Sequence, residues 1–140
     1  METTIRKPEN KDLLGFTRCA IDYLQFMTGG AGTEALRERK YWAADRLMDE
    51  SDQQLLLVAE VDGKVIGYIY GIAEADTNVA QLLEMEVDAI YRGEGIGRKL
   101  FAQALREWKN QGVDRLIAEC KSPYLETLGF SNHSFEMKNA

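Results

Sequence analysis

Histidine, cysteine and proline are scarce in this chain of 140 residues, which has one His, two Cys and two Pro. With His133 alone and no Cys/His cluster, a structural zinc site is excluded, and no metal is expected. Cys19 and Cys120 are too few for a disulfide framework and fit reduced thiols in a cytoplasmic setting. No apolar run approaches the ~20 residues needed to cross a bilayer, and the first residues lack the apolar stretch of a signal peptide. No membrane partner is therefore expected. Positive charge is in deficit: 17 Lys and Arg stand against 23 Asp and Glu, a formal charge of −6. That argues against nucleic acid as a partner, since phosphate binding needs clustered Lys and Arg. The remaining composition, 45% hydrophobic and 29% charged, suits one domain over residues 1–140.

Residues 3–6 read as a short strand, and Asn10 can cap a helix carrying Leu13, Leu14, Thr17, Ile21, Leu24 and Phe26 at roughly helical spacing. The glycine-rich segment Phe26-Met27-Thr28-Gly29-Gly30-Ala31-Gly32 breaks it. Thr33 can cap a second helix with Leu36, Tyr41, Ala44, Leu47 and Met48 on its apolar side. Residues 54–61 and 65–72 form strands about the turn signal Asp62-Gly63. Residues 79–87 make a further strand and 96–111 a helix with Ile96, Leu100, Phe101, Ala104, Leu105 and Trp108 as its stripe. Then come a strand over 113–120, a helical turn over 123–128 and an edge strand over 135–137. The order β-α-α-β-β-β-α-β-α-β predicts an α/β domain with a mixed, mostly antiparallel sheet and helices on both faces.

Chemistry concentrates in Arg92-Gly93-Glu94-Gly95-Ile96-Gly97-Arg98-Lys99, between a strand and an amphipathic helix. Glycines let a ligand approach the backbone, and the first N–H groups of a helix lack internal partners. Together with the helix dipole they favour an anion such as a pyrophosphate. No Gly-Lys-Ser or Gly-Lys-Thr is present, and Arg98 stands where a dinucleotide fingerprint needs Gly or Ala. The stretch matches Arg/Gln-x-x-Gly-x-Gly/Ala instead. Val87-Asp88-Ala89-Ile90-Tyr91-Arg92-Gly93 resembles the "Val-Asp-Pro-Glu-Tyr-Arg-Gly" common in the GNAT family of N-acetyltransferases. Leu128-Gly129-Phe130 resembles that family's C-terminal "Leu-Gly-Phe" block, and Ile5-Arg6 and residues 58–67 also resemble family segments.

The resemblance covers nearly the whole chain. It implies acetyl-CoA as co-substrate and direct transfer of acetyl to a primary amine. It further implies a strand that splays from its parallel neighbour to admit the pantetheine arm. On that pattern Met85, Glu86 and Val87 would supply backbone contacts. The N–H groups of Arg92, Gly93, Glu94, Gly95, Ile96, Gly97 and Arg98 would hold the pyrophosphate, with Arg92, Arg98 and Lys99 adding charge. Glu119 and Cys120 would form the other wall. The alternative is a CoA-binding regulatory module without transferase activity.

Amine attack on a thioester needs a neutral amine, and an alkylammonium has a pKa of about 10.4. A base or a water relay must help. Glu84 and Glu86 are the candidates: alternation places both on one face, opposite Leu83, Met85 and Val87. The candidate acid is Tyr124. Relatives carry a Tyr four residues before the glycine of Leu-Gly-Phe; here that position is Leu125, and Tyr124 lies one earlier. Cys120 as an acyl nucleophile would need an adjacent base. The acceptor is expected over the loop from Phe26 to Thr33, with Tyr23, Phe26, Tyr41 and Trp42 as wall candidates and Tyr68 or Tyr70 as floor. A homodimer is a further expectation.

Overall fold

The computed structural model describes residues 2–74, 76–119 and 124–137. Six strands form one sheet in sequential order: β1 (Thr3–Arg6), β2 (Gln54–Val61), β3 (Lys64–Ala73), β4 (Val79–Val87), β5 (Arg115–Ala118) and β6 (Ser134–Glu136). All neighbours are antiparallel except β4 and β5. The helices are α1 (Leu13–Thr28), α2 (Thr33–Met48), α3 (Ile96–Asn110) and the short α4 (Tyr124–Leu128). The expected order and sheet class are those observed. Asp62 and Gly63, at φ of 52° and 79°, make the two-residue turn between β2 and β3. Positive φ at both positions matches the twist of the strands.

Each sheet face has its own core. One buries Leu57, Ile69 and Leu82 under Ile96, Leu100, Ala104 and Trp108 of α3. Those helix positions follow the apolar stripe read from the sequence. The other face buries Val58, Val65, Tyr68 and Tyr70 under Phe16, Cys19 and Ala20 of α1 and Ala43 of α2. Here the expected stripes do not hold. Leu14 is 85% exposed and Met48 73%, whereas Arg39 is buried. The two helices pack through the small residues Cys19, Ala20 and Ala43, and α2 turns cations toward the sheet, so hydrophobicity alone misplaces its inner face. Helix α1 also runs to Thr28 before Gly29 takes the left-handed cap at φ 73°, the usual role of glycine at a helix end. Phe26 and Met27 thus belong to its last turn.

The register between β3 and β4 slips once. Tyr70 faces Glu84 and Gly71 faces Leu82, so Leu83 is an extra residue on β4. Leu82 packs into the α3 core while Leu83 packs against the α1/α2 core, on the side of Glu84. Leu83 was expected on the opposite face; the bulge resets the alternation. Gly71 marks the same place from β3. A Cβ there would meet the Gln81 carbonyl oxygen and the Trp108 ring, both at 2.5 Å. Gly71→Ala should destabilise the protein by about 1–3 kcal/mol, the usual cost of overpacking a core. A urea midpoint equal to that of the unsubstituted chain would show that the bulge region yields to a methyl group.

Candidate active site

Strand β4 pairs with β5 only from Val79 to Leu82. The last link is the Glu119 N–H donating to the Leu82 carbonyl at 3.1 Å. Residues 83–87 continue along β3 with no strand on their other edge among the described residues. Val87 shows which groups face that gap. Its N–H donates to Glu86 Oε1 at 3.2 Å, and its carbonyl accepts from Arg92 Nε at 2.9 Å. The next N–H, of Asp88, turns the other way and donates to Ile66 on β3 at 2.8 Å. Strand alternation places the Met85 amide on the same open edge as that of Val87.

The gap opens into a cleft of about 680 Å³. One side is the loop from Tyr91 to Arg98, where Gly93 and Gly95 adopt φ of 84° and 81° with nothing within 4 Å of a would-be Cβ. These positive φ values turn the backbone toward the open space at the start of α3. Tyr124 and Leu125 of α4 close another side. The Tyr124 hydroxyl lies 2.9 Å from where a Cβ on Gly97 would be, so this glycine admits the tyrosine ring to the end of α3. Arg98 Nη1 donates to the Thr127 carbonyl at 3.3 Å and ties α4 to α3. Tyr23, Phe26 and Met27 of α1 complete the lining.

The two candidate bases meet different fates. Glu84 accepts two bonds from Arg39, at 3.1 and 2.5 Å, and one from the Tyr68 hydroxyl at 2.6 Å. Arg39 also donates to the Ala20 carbonyl at 2.8 Å and stacks 3.8 Å from the Trp42 ring centre. Glu84 does not line the cleft; its carboxylate joins α2, α1 and β3. Glu86 does line the cleft, is 8% exposed, and has Arg92 Nη2 at 3.1 Å. Burial pushes its carboxyl above the ordinary carboxylate range. Arg92 and the Val87 N–H pull it back, and Asp22 on α1 adds to the rise. Tyr68, below Glu84, is held protonated by burial and by that carboxylate.

The model of the acetyltransferase (GNAT) family matches residues 16–131. A protein of Archaeoglobus fulgidus described as an uncharacterized N-acetyltransferase is 30% identical over 112 residues, 72% of this chain and 70% of its own. This chain belongs to the acetyltransferase (GNAT) family. The PaiA N-acetyltransferase of Thermoplasma acidophilum, solved with coenzyme A, superposes with a TM-score of 0.79 at 20% identity, covering 97% of this chain and 99% of that one. A GNAT acetyltransferase of Brucella melitensis, solved with acetyl-CoA, gives 0.70 at 24% identity over 95% and 85%.

Within this acetyltransferase the cleft brings together Met85, Glu86, Val87, Arg92, Gly93, Gly95, Ile96, Gly97, Arg98 and Tyr124. Glu94, Lys99 and Glu119 are exposed and outside its lining. Cys120 and Pro123 lie outside the described residues. Of the acceptor-wall candidates, Tyr23 and Phe26 line the cleft, whereas Tyr41 faces away at 68% exposure. Trp42, Tyr68 and Tyr70 pack together with Phe16 in the α1/α2 core. Met27 and Arg39 went unread in the sequence. Met27 fell in a segment read as loop, and no local pattern links Arg39 to a glutamate 45 positions away. Arg39→Met should cost about 3–5 kcal/mol, because it strands the Glu84 carboxylate without its cation. Thermal melts at neutral pH check this, and Arg39→Met together with Glu84→Gln should recover part of the loss.

Proposed function

We propose that this enzyme transfers acetyl from acetyl-CoA to a primary amine by direct attack in a ternary complex. The observation that carries the reading is the parting of β4 from β5 beside the glycine loop, with Glu86 buried between. The edge amides of Met85 and Val87 suit the amide groups of a pantetheine arm. The loop from Arg92 to Arg98, with the N–H groups of a helix start and two guanidinium groups, suits a pyrophosphate. Gly93 and Gly95 leave that cradle clear of side chains. The CoA and acetyl-CoA complexes of the Thermoplasma and Brucella relatives support the same reading. A cytosolic setting belongs to it, in keeping with the free, buried Cys19 thiol.

Acetyl-CoA supplies an acyl carbon activated as a thioester. Glu86 takes a proton from the incoming ammonium, directly or through water, and leaves a neutral amine. The nitrogen forms the new C–N bond as the C–S bond breaks, and its second proton passes to solvent or back through Glu86. The Tyr124 hydroxyl, at the start of α3, gives its proton to the departing sulfur and is reprotonated from solvent. Each turnover converts an ammonium and a thioester into an amide, a thiol and one released proton.

Two tests separate binding from chemistry. Gly95→Asp places a side chain at positive φ and a negative charge in the cradle, and calorimetry should show acetyl-CoA affinity lowered at least about tenfold. Unchanged affinity in the folded variant removes the cofactor from this loop. Glu86→Gln should slow turnover at neutral pH about a hundredfold or more with acetyl-CoA affinity kept. The base acts deprotonated, so kcat/KM in the parent rises with pH through the Glu86 pKa, above the usual carboxylate range. The variant should lose that acid limb. Tyr124→Phe in the same assay should lower kcat roughly ten- to a thousandfold; full-speed turnover leaves sulfur protonation to water.

A further inference from the structure

The cleft has two chemically different ends. Toward α3 lie Arg92 and Arg98, its only lining cations among the described residues. Toward α1 lie Tyr23, Phe26 and Met27, and its only lining carboxylate among the described residues is Glu86. Phe26 is 74% exposed and Met27 47%, side by side on the last turn of α1. A single exposed apolar side chain is ordinary. Two adjacent ones that line a cleft with a buried carboxylate deeper inside form an apolar subsite with one negative charge at its inner end.

Building on the acetyl-transfer reading, we propose that the acceptor is a primary amine on an apolar, otherwise uncharged skeleton, of the arylalkyl- or alkylamine class. Its ammonium meets Glu86 and its body lies against Phe26 and Met27. The charges around Glu86 support this choice. Asp22, next to Tyr23 on α1 and paired with Arg18 at 3.5 Å, makes a small negative contribution there, and the Tyr68 hydroxyl on β3 is neutral. The cation at hand, Arg92, is held by Glu86 and the Val87 carbonyl and belongs to the loop assigned to phosphate. Arg98 is held by the Thr127 carbonyl. An α-amino acid would bring a carboxylate next to its ammonium, toward Glu86 and Asp22, where the nearby cations are already engaged: Arg92 by Glu86, and Arg18 by Asp22 and Asp88. A sugar phosphate would do the same with a larger charge. A polyamine would leave its second ammonium against Phe26 and Met27, where desolvation is unrewarded. An apolar body instead covers those side chains and removes their surface from water.

The test is kinetic, with a binding control. At saturating acetyl-CoA, thiol release is followed with 2-phenylethylamine, hexylamine, L-phenylalanine, glucosamine 6-phosphate and spermidine. The first two should exceed the other three in kcat/KM by about tenfold or more. Phe26→Ser should raise KM for 2-phenylethylamine about tenfold, the scale of burying part of one aromatic ring, with kcat and acetyl-CoA affinity unchanged. Calorimetry of 2-phenylethylamine against the CoA-saturated protein should show the same loss in Phe26→Ser without turnover. A preference for L-phenylalanine, glucosamine 6-phosphate or spermidine overturns the proposal. So does absence of turnover with both apolar amines, or an unchanged KM in Phe26→Ser. Calorimetry of acetyl-CoA with the parent chain judges the underlying reading separately. Binding there, together with any of those three results, leaves the cofactor site standing and removes only the apolar acceptor.

Discussion

Parallel pairing between β4 and β5 stops at Leu82 and Ala118, and the backbone of residues 83–87 must satisfy one edge in other ways. Buried amides without partners are costly, so such an edge persists only where side chains, water or a ligand take the place of a strand. In this structure Val87 is served by Glu86 and Arg92. The same two side chains are therefore candidates both for the chemistry and for keeping the open edge stable.

Two glutamates on one face of β4 do different work because of what stands opposite each. Glu84 meets a cation from α2 that is itself fixed by the Ala20 carbonyl and the Trp42 ring. The resulting network holds α1 and α2 on the sheet. Glu86 lies beyond the reach of Arg39 and meets Arg92, whose guanidinium is half exposed at 53%. The partner of Glu86 faces solvent and the cleft, whereas Glu84 is clamped by a buried arginine. The bulge at Leu83 contributes by turning Leu83 inward beside Glu84, and the Tyr23 hydroxyl donates to its carbonyl at 3.4 Å.

The two ends of the cleft rest on different kinds of structure. The α3 end relies on backbone: positive φ at Gly93 and Gly95 and the free N–H groups of a helix start. The α1 end relies on side chains at a helix terminus just before a glycine-rich turn. Arg18 links the two ends, donating from α1 to Asp88 at 2.9 Å and to the Val65 carbonyl at 2.9 Å. Helix α1 is thereby held against the loop that follows β4.

Local chemistry was enough to read the element order, the turn at Asp62-Gly63, the stripe of α3 and the glycine loop that opens it. Each depends on neighbours a few residues apart, through turn geometry, helical period or unpaired helix-start N–H groups. That Glu86 lines the cleft while Glu84 is engaged by Arg39 was not legible, since Arg39 lies 45 positions from Glu84. Nor were the inner faces of α1 and α2, where Leu14 and Met48 face water while Arg39 is buried. Burial there is set by which helix lies opposite and by how closely Cys19, Ala20 and Ala43 let it approach. The bulge at Leu83 and the contact of Tyr124 with Gly97 arise only when distant segments meet. Contacts between such segments leave no periodic mark on the sequence, and the tertiary structure alone decided them.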